Sequence, residues 1–260
     1  MNESSAEPRR RFSEFYATEH DARGYTRTAV VCNLAAYVHL LLAAAHWVPG
    51  WTLALVVPVL VPRWMIAVHE LFHLRSEREV DGFTRLLPFV FTPLALGYRE
   101  QLGTHRGHHR HMAVPEDPEY YQLNGGVARG LFNAFTAPEQ MWFRWVAERG
   151  IDAPLVRDTT IRLALFVALV AVAGTTFLWY LVPARIAFGA SYFTFFYALH
   201  RRGPEYGVYP LALPGPIARV ARLLLGRVVV EATGHHDVHH AEPRIAARHL
   251  ALCRESAISG

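Results

Sequence analysis

Residues 28–48 are apolar almost without interruption, 21 positions in all, about the number needed to cross a hydrocarbon core. Pro49-Gly50 marks a tight turn, and residues 51–68 form a second apolar run. The pair predicts a helical hairpin over 28–68 with an uncharged far end. Pro58 and Pro62 kink its second helix, which a bundle tolerates, and Arg63 snorkels toward the interface. Residues 161–182 are a third long apolar run and 185–199 a shorter, aromatic fourth, with Pro183, Ala184 and Arg185 as the turn of a second hairpin over 161–199. Between the hairpins, residues 83–98 are apolar, broken by Pro88 and Pro93 and too short to span, which predicts an interfacial or re-entrant helix. Residues 131–145, rich in Phe and Trp, read either as a second interfacial piece or as core under a cytosolic layer. No repeat or separate linker is visible. The pattern predicts one all-α membrane domain over 1–260: a polar arm (1–27), the first hairpin (28–68), a connecting region (69–160), the second hairpin (161–199) and a C-terminal part (200–260).

Composition agrees with a membrane protein that also carries polar segments. Hydrophobic residues make up 52% and charged residues 18% of the 260 positions, with a mean hydropathy of +0.13. All 26 Lys+Arg positions are arginine, which reads as codon bias. The arm carries Arg9, Arg10, Arg11, Arg23 and Arg27 but lacks the short apolar run and small-residue cleavage site of a signal peptide. Nearly every other arginine lies in 75–162 or after Arg201, so by the positive-inside rule both termini and the connecting region face the cytosol and the two tips face out. No nucleic-acid partner is expected. Cys32 and Cys253 indicate neither a disulfide framework nor a thiolate metal site.

Histidine changes the picture. Residues 104–111 hold four of the fifteen histidines of the chain, and imidazoles so crowded repel when protonated and need partners when buried. A metal is the ordinary partner. Two further clusters flank this one, His69-Glu70-Leu71-Phe72-His73 upstream and His235-His236-Asp237-Val238-His239-His240 downstream. His69 and His73, at i and i+4, share one helix face. By itself this is also the zinc-hydrolase pattern with Glu70 as general base, which would leave two clusters idle. His105, His108 and His109 have the form H-x-x-H-H, and His236, His239 and His240 repeat it. His200 adds a ligand from the end of the fourth helix, and the nine imidazoles suffice for two ions at four or five each. His39 and His46, inside the first span, read as packing or interfacial residues rather than ligands. His111 and His235 flank the clusters as supporting groups, although His235 could take the place of His236. Glu70, Glu116, Asp117 and Asp237 stand where they could accept the second ring N–H of a ligating histidine, or be solvated surface charges.

HELFH, HRGHH and HDVHH, in that order around two apolar hairpins, resemble the three histidine boxes of the membrane fatty acid desaturase and hydroxylase superfamily. The resemblance runs from about the first span to Leu250. It implies a non-haem centre of two irons, O2 as oxidant, a lipid-like apolar substrate and electrons from outside. No flavin, haem or iron-sulfur motif is present, so a ferredoxin-type donor is expected to dock on the arginine-rich cytosolic face. Under this resemblance His200 is an accessory ligand before the third box, and the 83–98 segment, with Phe89 and Phe91, walls a substrate tunnel. Pro115-Glu116-Asp117-Pro118 and the His-Glu-Leu of the first box are similar to the alkane and xylene monooxygenase branch. The H-x-x-H-H spacing, the four-span layout and Pro243 after the last His pair are more similar to acyl desaturases and carotenoid ketolases. Desaturation of an acyl lipid chain is the expected reaction. An alkane or methyl-group hydroxylase and a carotenoid ketolase or hydroxylase are the alternatives within the superfamily; a membrane zinc hydrolase and a metal transport or storage protein lie outside it.

Overall fold

The computed structural model describes residues 12–112 and 114–258, with side chains through Arg254. The chain is predominantly helical; among the described residues the strands are two two-residue pieces, β1 (Arg201–Arg202) and β2 (Glu205–Tyr206). Residues 1–11 of the expected polar arm lie outside the described residues.

Helix α1 (Glu19–Ala44) starts at Thr18, whose hydroxyl and backbone N–H exchange a capping box with Asp21. Ala22, Ala29, Ala36 and Ala43 recur at seven-residue spacing on this helix and are all buried. That small-residue stripe lets α2 (Leu53–Leu74) approach closely, which matters in lipid, where packing rather than hydrophobic exclusion joins helices. The opposite face of α1 is apolar too, with Val31, Leu34, Val38 and Leu41 exposed, as a lipid-facing surface requires. His39 Nε2 lies 2.7 Å from Thr52 Oγ1 across the hairpin.

Three helical stretches are long and apolar enough to cross a membrane: 19–44, 50–74 and the 46 residues of Ala153–Ala198. The last is about twice the length one crossing needs. It divides into α6 (Ala153–Ala173) and α7 (Phe177–Tyr192) at Gly174, whose φ of +53° suits glycine. Run on as one rod, α6 and α7 would hold Arg162 and His200 about 57 Å apart. Instead Arg162 borders Gly97 and His200 meets His108, at the start and near the end of α3 (Tyr98–His111), a helix only about 21 Å long. The chain therefore turns back at Gly174, and Trp179 just beyond the turn packs at Gly50 in the first hairpin's tip.

This corrects the expected turn at Pro183, Ala184 and Arg185. Pro183 lies inside α7, and Arg185 reaches Glu139 Oε2 at 2.5 Å on α5 (Ala137–Arg149). The real turn, Gly174-Thr175-Thr176, carries no charge and barely interrupts the apolar run, so hydropathy does not mark it.

The 83–98 segment is corrected as well: it is not a helix beyond one turn, Gly82–Leu86. Leu87 then takes a left-handed φ of +46°, and Pro88 and Pro93 remove two donors, so the chain runs irregularly to α3. Its carbonyls are held instead by the buried Arg162, whose Nε donates to Leu86 O at 3.0 Å and whose Nη1 donates to Ala95 O. Residues 131–145 fall in α4 (Val127–Phe135) and α5, which leave Leu131, Phe132 and Phe143 exposed.

Below the hairpins lie α8 (Gly215–Leu225), α9 (Arg227–Gly234), α10 (His236–Ala241) and α11 (Leu250–Ile258). The chain between α10 and α11 is strapped to the N-terminal segment: Ala17 N–H donates to Arg244 O at 2.8 Å, Ala246 N–H to Phe15 O at 3.0 Å, and Arg248 pairs with Asp21.

Candidate metal centre

Four elements converge on one point. The last turns of α2 carry His69 and His73, α3 carries His105, His108 and His109, a π-helical turn after α7 (Phe193–Ala198) delivers His200, and α10 carries His236, His239 and His240. Tyr98 ties α3 to the end of α2 by donating its hydroxyl to Leu71 O at 2.9 Å. All nine histidines singled out from the sequence come together. His69, His73, His105, His109 and His239 form one group of ring nitrogens lying within 4.8 Å of one another, and His108, His200 and His240 form a second. His236 joins the second group through His240, Nε2 to Nε2 at 3.1 Å.

The donor chemistry fits metal. Nε2 atoms face one another at 2.7 Å (His105–His73), 3.1 Å (His239–His73) and 3.2 Å (His108–His200 and His200–His240). Two nitrogens bound at about 2.1 Å to one ion lie about 3.0–3.4 Å apart, so the 3.1 and 3.2 Å spacings are those of ligands that share ions, and the His105–His73 pair lies closer still. Mutual hydrogen bonding cannot satisfy so many convergent nitrogens, and His109 Nε2 is buried with no partner. Tautomers agree with this. His200 Nδ1 lies 2.9 Å from Phe195 O, an atom that only accepts, so Nδ1 carries the proton and Nε2 offers its lone pair. His108 Nδ1 meets Asp117 Oδ2 at 2.8 Å, and His69 Nδ1 meets Glu70 Oε1 at 3.2 Å, with the same consequence.

Electrostatics keeps the cluster neutral. Burial, reinforced by neighbouring imidazoles, pushes His105, His236, His239 and His240 well below the usual histidine range, His109 down to about 2 and His200 to about 3. Neutral imidazole is the ligating form. His108 is the exception: burial lowers it, but the hydrogen bond to Asp117 overrides this and raises it.

Of the supporting residues read from the sequence, Glu70 and Asp117 are buried against ligand histidines. Glu116 is exposed, Asp237 faces Arg254 at 3.6 Å, His111 stands half-buried outside both groups, and His235 turns to Glu231 at 3.4 Å while His236 enters the cluster.

Beside the first group lies a narrow cavity of about 60 Å³, walled by Trp64, Phe89, Phe91, Phe188, Phe195 and Phe196 and reaching His69 and His105. Phe89 packs on Trp64 at 5.4 Å and Phe91 on Phe188 at 4.6 Å between ring centroids, so both rings line this cavity from a segment that is not helical. Sequence reasoning missed two lining residues, Glu119 and Tyr192. The Tyr192 hydroxyl donates to Glu119 Oε1, and burial raises the Glu119 carboxyl to about 7. Only the acidic character of the 115–119 run hinted at Glu119.

The chain is thus helical, with membrane-length apolar helices and two groups of convergent imidazoles that could hold metal ions, the first beside an apolar chamber. More particularly, the fatty acid desaturase family model matches residues 45–257, and the chain belongs to that family. Neither a curated protein nor a solved structure matches it.

Proposed function

We propose that this protein is a membrane di-iron oxidoreductase that uses O2 and externally supplied electrons to desaturate an acyl lipid chain. The observation that carries the reading is the pair of imidazole groups, the first of which opens on an apolar chamber through His69 and His105. The first group together with His108, His200, His236 and His240 would hold two irons; bound there, they supply the O2 chemistry that attacks an unactivated C–H bond. The chain's own residues do the rest. Asp117, Glu70 and the Phe195 carbonyl orient three ligands, and the aromatic walls exclude water and present an internal methylene pair to the cluster. Glu70 is engaged by His69 and lies 3.9 Å from His239, which does not suit the free general base that a zinc hydrolase requires.

The domain limits set out above accompany this proposal, with four spans, both termini and the cluster on the cytosolic side, and a ferredoxin-type donor as redox partner. The reversal at Gly174 and the arginine distribution support them. Hydroxylation of an alkane or methyl group is the second reading, favoured by the Pro115–Pro118 run from which Asp117 reaches His108. Turnover of cell lipids under 18-O2 distinguishes the two. A new double bond with no label in the product is expected, and a product carrying one labelled oxygen and no double bond would assign the hydroxylase.

A further inference from the structure

Among the described residues, buried carboxylates are otherwise matched with cations or imidazoles. Asp21 meets Arg248, Glu70 meets His69, Glu100 meets Arg99, Asp117 meets His108, Asp158 meets Arg157 and Glu231 meets Arg222. Glu119 is different. It is 3% exposed, makes no ion pair among the described residues, and takes one hydrogen bond, from the Tyr192 hydroxyl. A carboxylate offers about four lone-pair positions, and one donor leaves most of them open. Both residues line the chamber, where Gln101 and Thr104 add polar atoms and the remaining wall is aromatic and aliphatic apart from His69 and His105. The chamber therefore has a polar pole near the imidazole cluster, and a plain hydrocarbon lying against it would strand a buried acceptor.

We propose that Glu119, backed by Tyr192, is the recognition point for a hydrogen-bond donor on the substrate, an O–H or N–H carried by an otherwise apolar molecule. This rests on reading the chamber as the substrate site of the proposed enzyme, and narrows the substrate class from any acyl chain to one bearing such a donor close to the point of attack. A site built around a buried acceptor discriminates strongly against analogues that lack the matching donor. A free carboxylate brought to the same place carries no hydrogen to donate.

The test reads binding without turnover. The full-length iron-loaded protein in lipid nanodiscs is equilibrated with labelled 1-dodecanol, dodecylamine, dodecane or laurate, and uptake by empty nanodiscs is subtracted. Wild type is expected to favour dodecanol, dodecylamine or both over dodecane by roughly 10- to 100-fold, the range an unpaired buried polar group implies, and to bind laurate no better than dodecane. The two donor arms separate an O–H from an N–H substrate. In Glu119→Leu and Glu119→Met, two apolar replacements that guard against a single folding failure, the ratio should collapse toward one. Tyr192→Phe, which frees a carboxylate oxygen, should keep it. A wild-type ratio near one, a ratio unchanged in both Glu119 variants, or laurate as the tightest ligand would each overturn the proposal. Absence of iron or of oxidation products would sink the oxygenase reading instead and leave the binding ratio interpretable.

Discussion

Asp117 Oδ2 stands 2.8 Å from His108 Nδ1, and both side chains are almost wholly buried. The contact fixes the proton on Nδ1 and aims Nε2 at His200 Nε2, 3.2 Å away. Supporting carboxylates of this kind typically change metal affinity by about 10–100-fold when removed. Asp117→Asn should therefore lose metal to a chelator at correspondingly lower concentration, followed by iron analysis after dialysis. Glu116→Gln, one residue away but exposed, should behave as wild type. Equal retention in both would remove the orienting role of Asp117.

Iron content follows from the two imidazole groups. Protein purified without oxygen should carry two irons per chain, and His109→Ala or His240→Ala, each removing a member of a different group, should lower that number and abolish activity. One zinc per chain, retained in the His240 variant, would contradict a di-iron centre.

Arg162 holds the irregular wall segment through the carbonyls of Leu86 and Ala95. Arg162→Met keeps much of the bulk but strands both acceptors, at roughly 1–3 kcal/mol for each. A lower unfolding temperature in nanodiscs is expected, together with new protease cleavage between residues 86 and 97. An unchanged cleavage pattern would mean that the segment is held by its apolar contacts alone.

Phe91 packs on Phe188 and Phe89 on Trp64 where the chamber is lined. Phe91→Leu or Phe89→Leu should shift or broaden the position of attack along the chain while iron content stays constant. Mass spectrometry of the lipid products reads this directly, and identical product positions in both variants would exclude the two rings from substrate placement.

Topology can be read from single cysteines because Cys32 and Cys253 are both buried. Ala45→Cys and Thr175→Cys, in exposed positions at the two tips, should react with an impermeant reagent from outside intact cells. Labelling only from the inside would invert the orientation and place the histidine cluster away from a cytosolic electron donor.

What the sequence makes legible depends on how local the signal is. His69 with His73, and the two H-x-x-H-H sets, are visible because helical spacing alone places them on common faces. His200 could be placed only as the residue ending an apolar run, and its geometry depends on a π-helical turn that no periodicity announces. The turn at Gly174 hides because glycine and two threonines scarcely alter hydropathy, whereas Pro183 draws attention although α7 accommodates it. The 83–98 segment misleads for a related reason: its composition is that of a membrane helix, but its carbonyl partners come from Arg162, more than sixty positions onward. Glu119 belongs to no spacing rule. Its significance arises from Tyr192, which the fold alone brings to it.

The strap between residues 15–17 and 244–246 gives the chain an order of assembly. Tyr16 and Glu242 are separated by 226 positions, and His239 and His240 lie just ahead of that closure. During synthesis the first two boxes emerge early, yet neither group of imidazoles is complete until His239 and His240 have left the ribosome. Closing so long a loop is entropically costly and slow, and the ions that pull the boxes together would repay it only at the end. A chain ending before residue 236 lacks His236, His239 and His240 and so completes neither group.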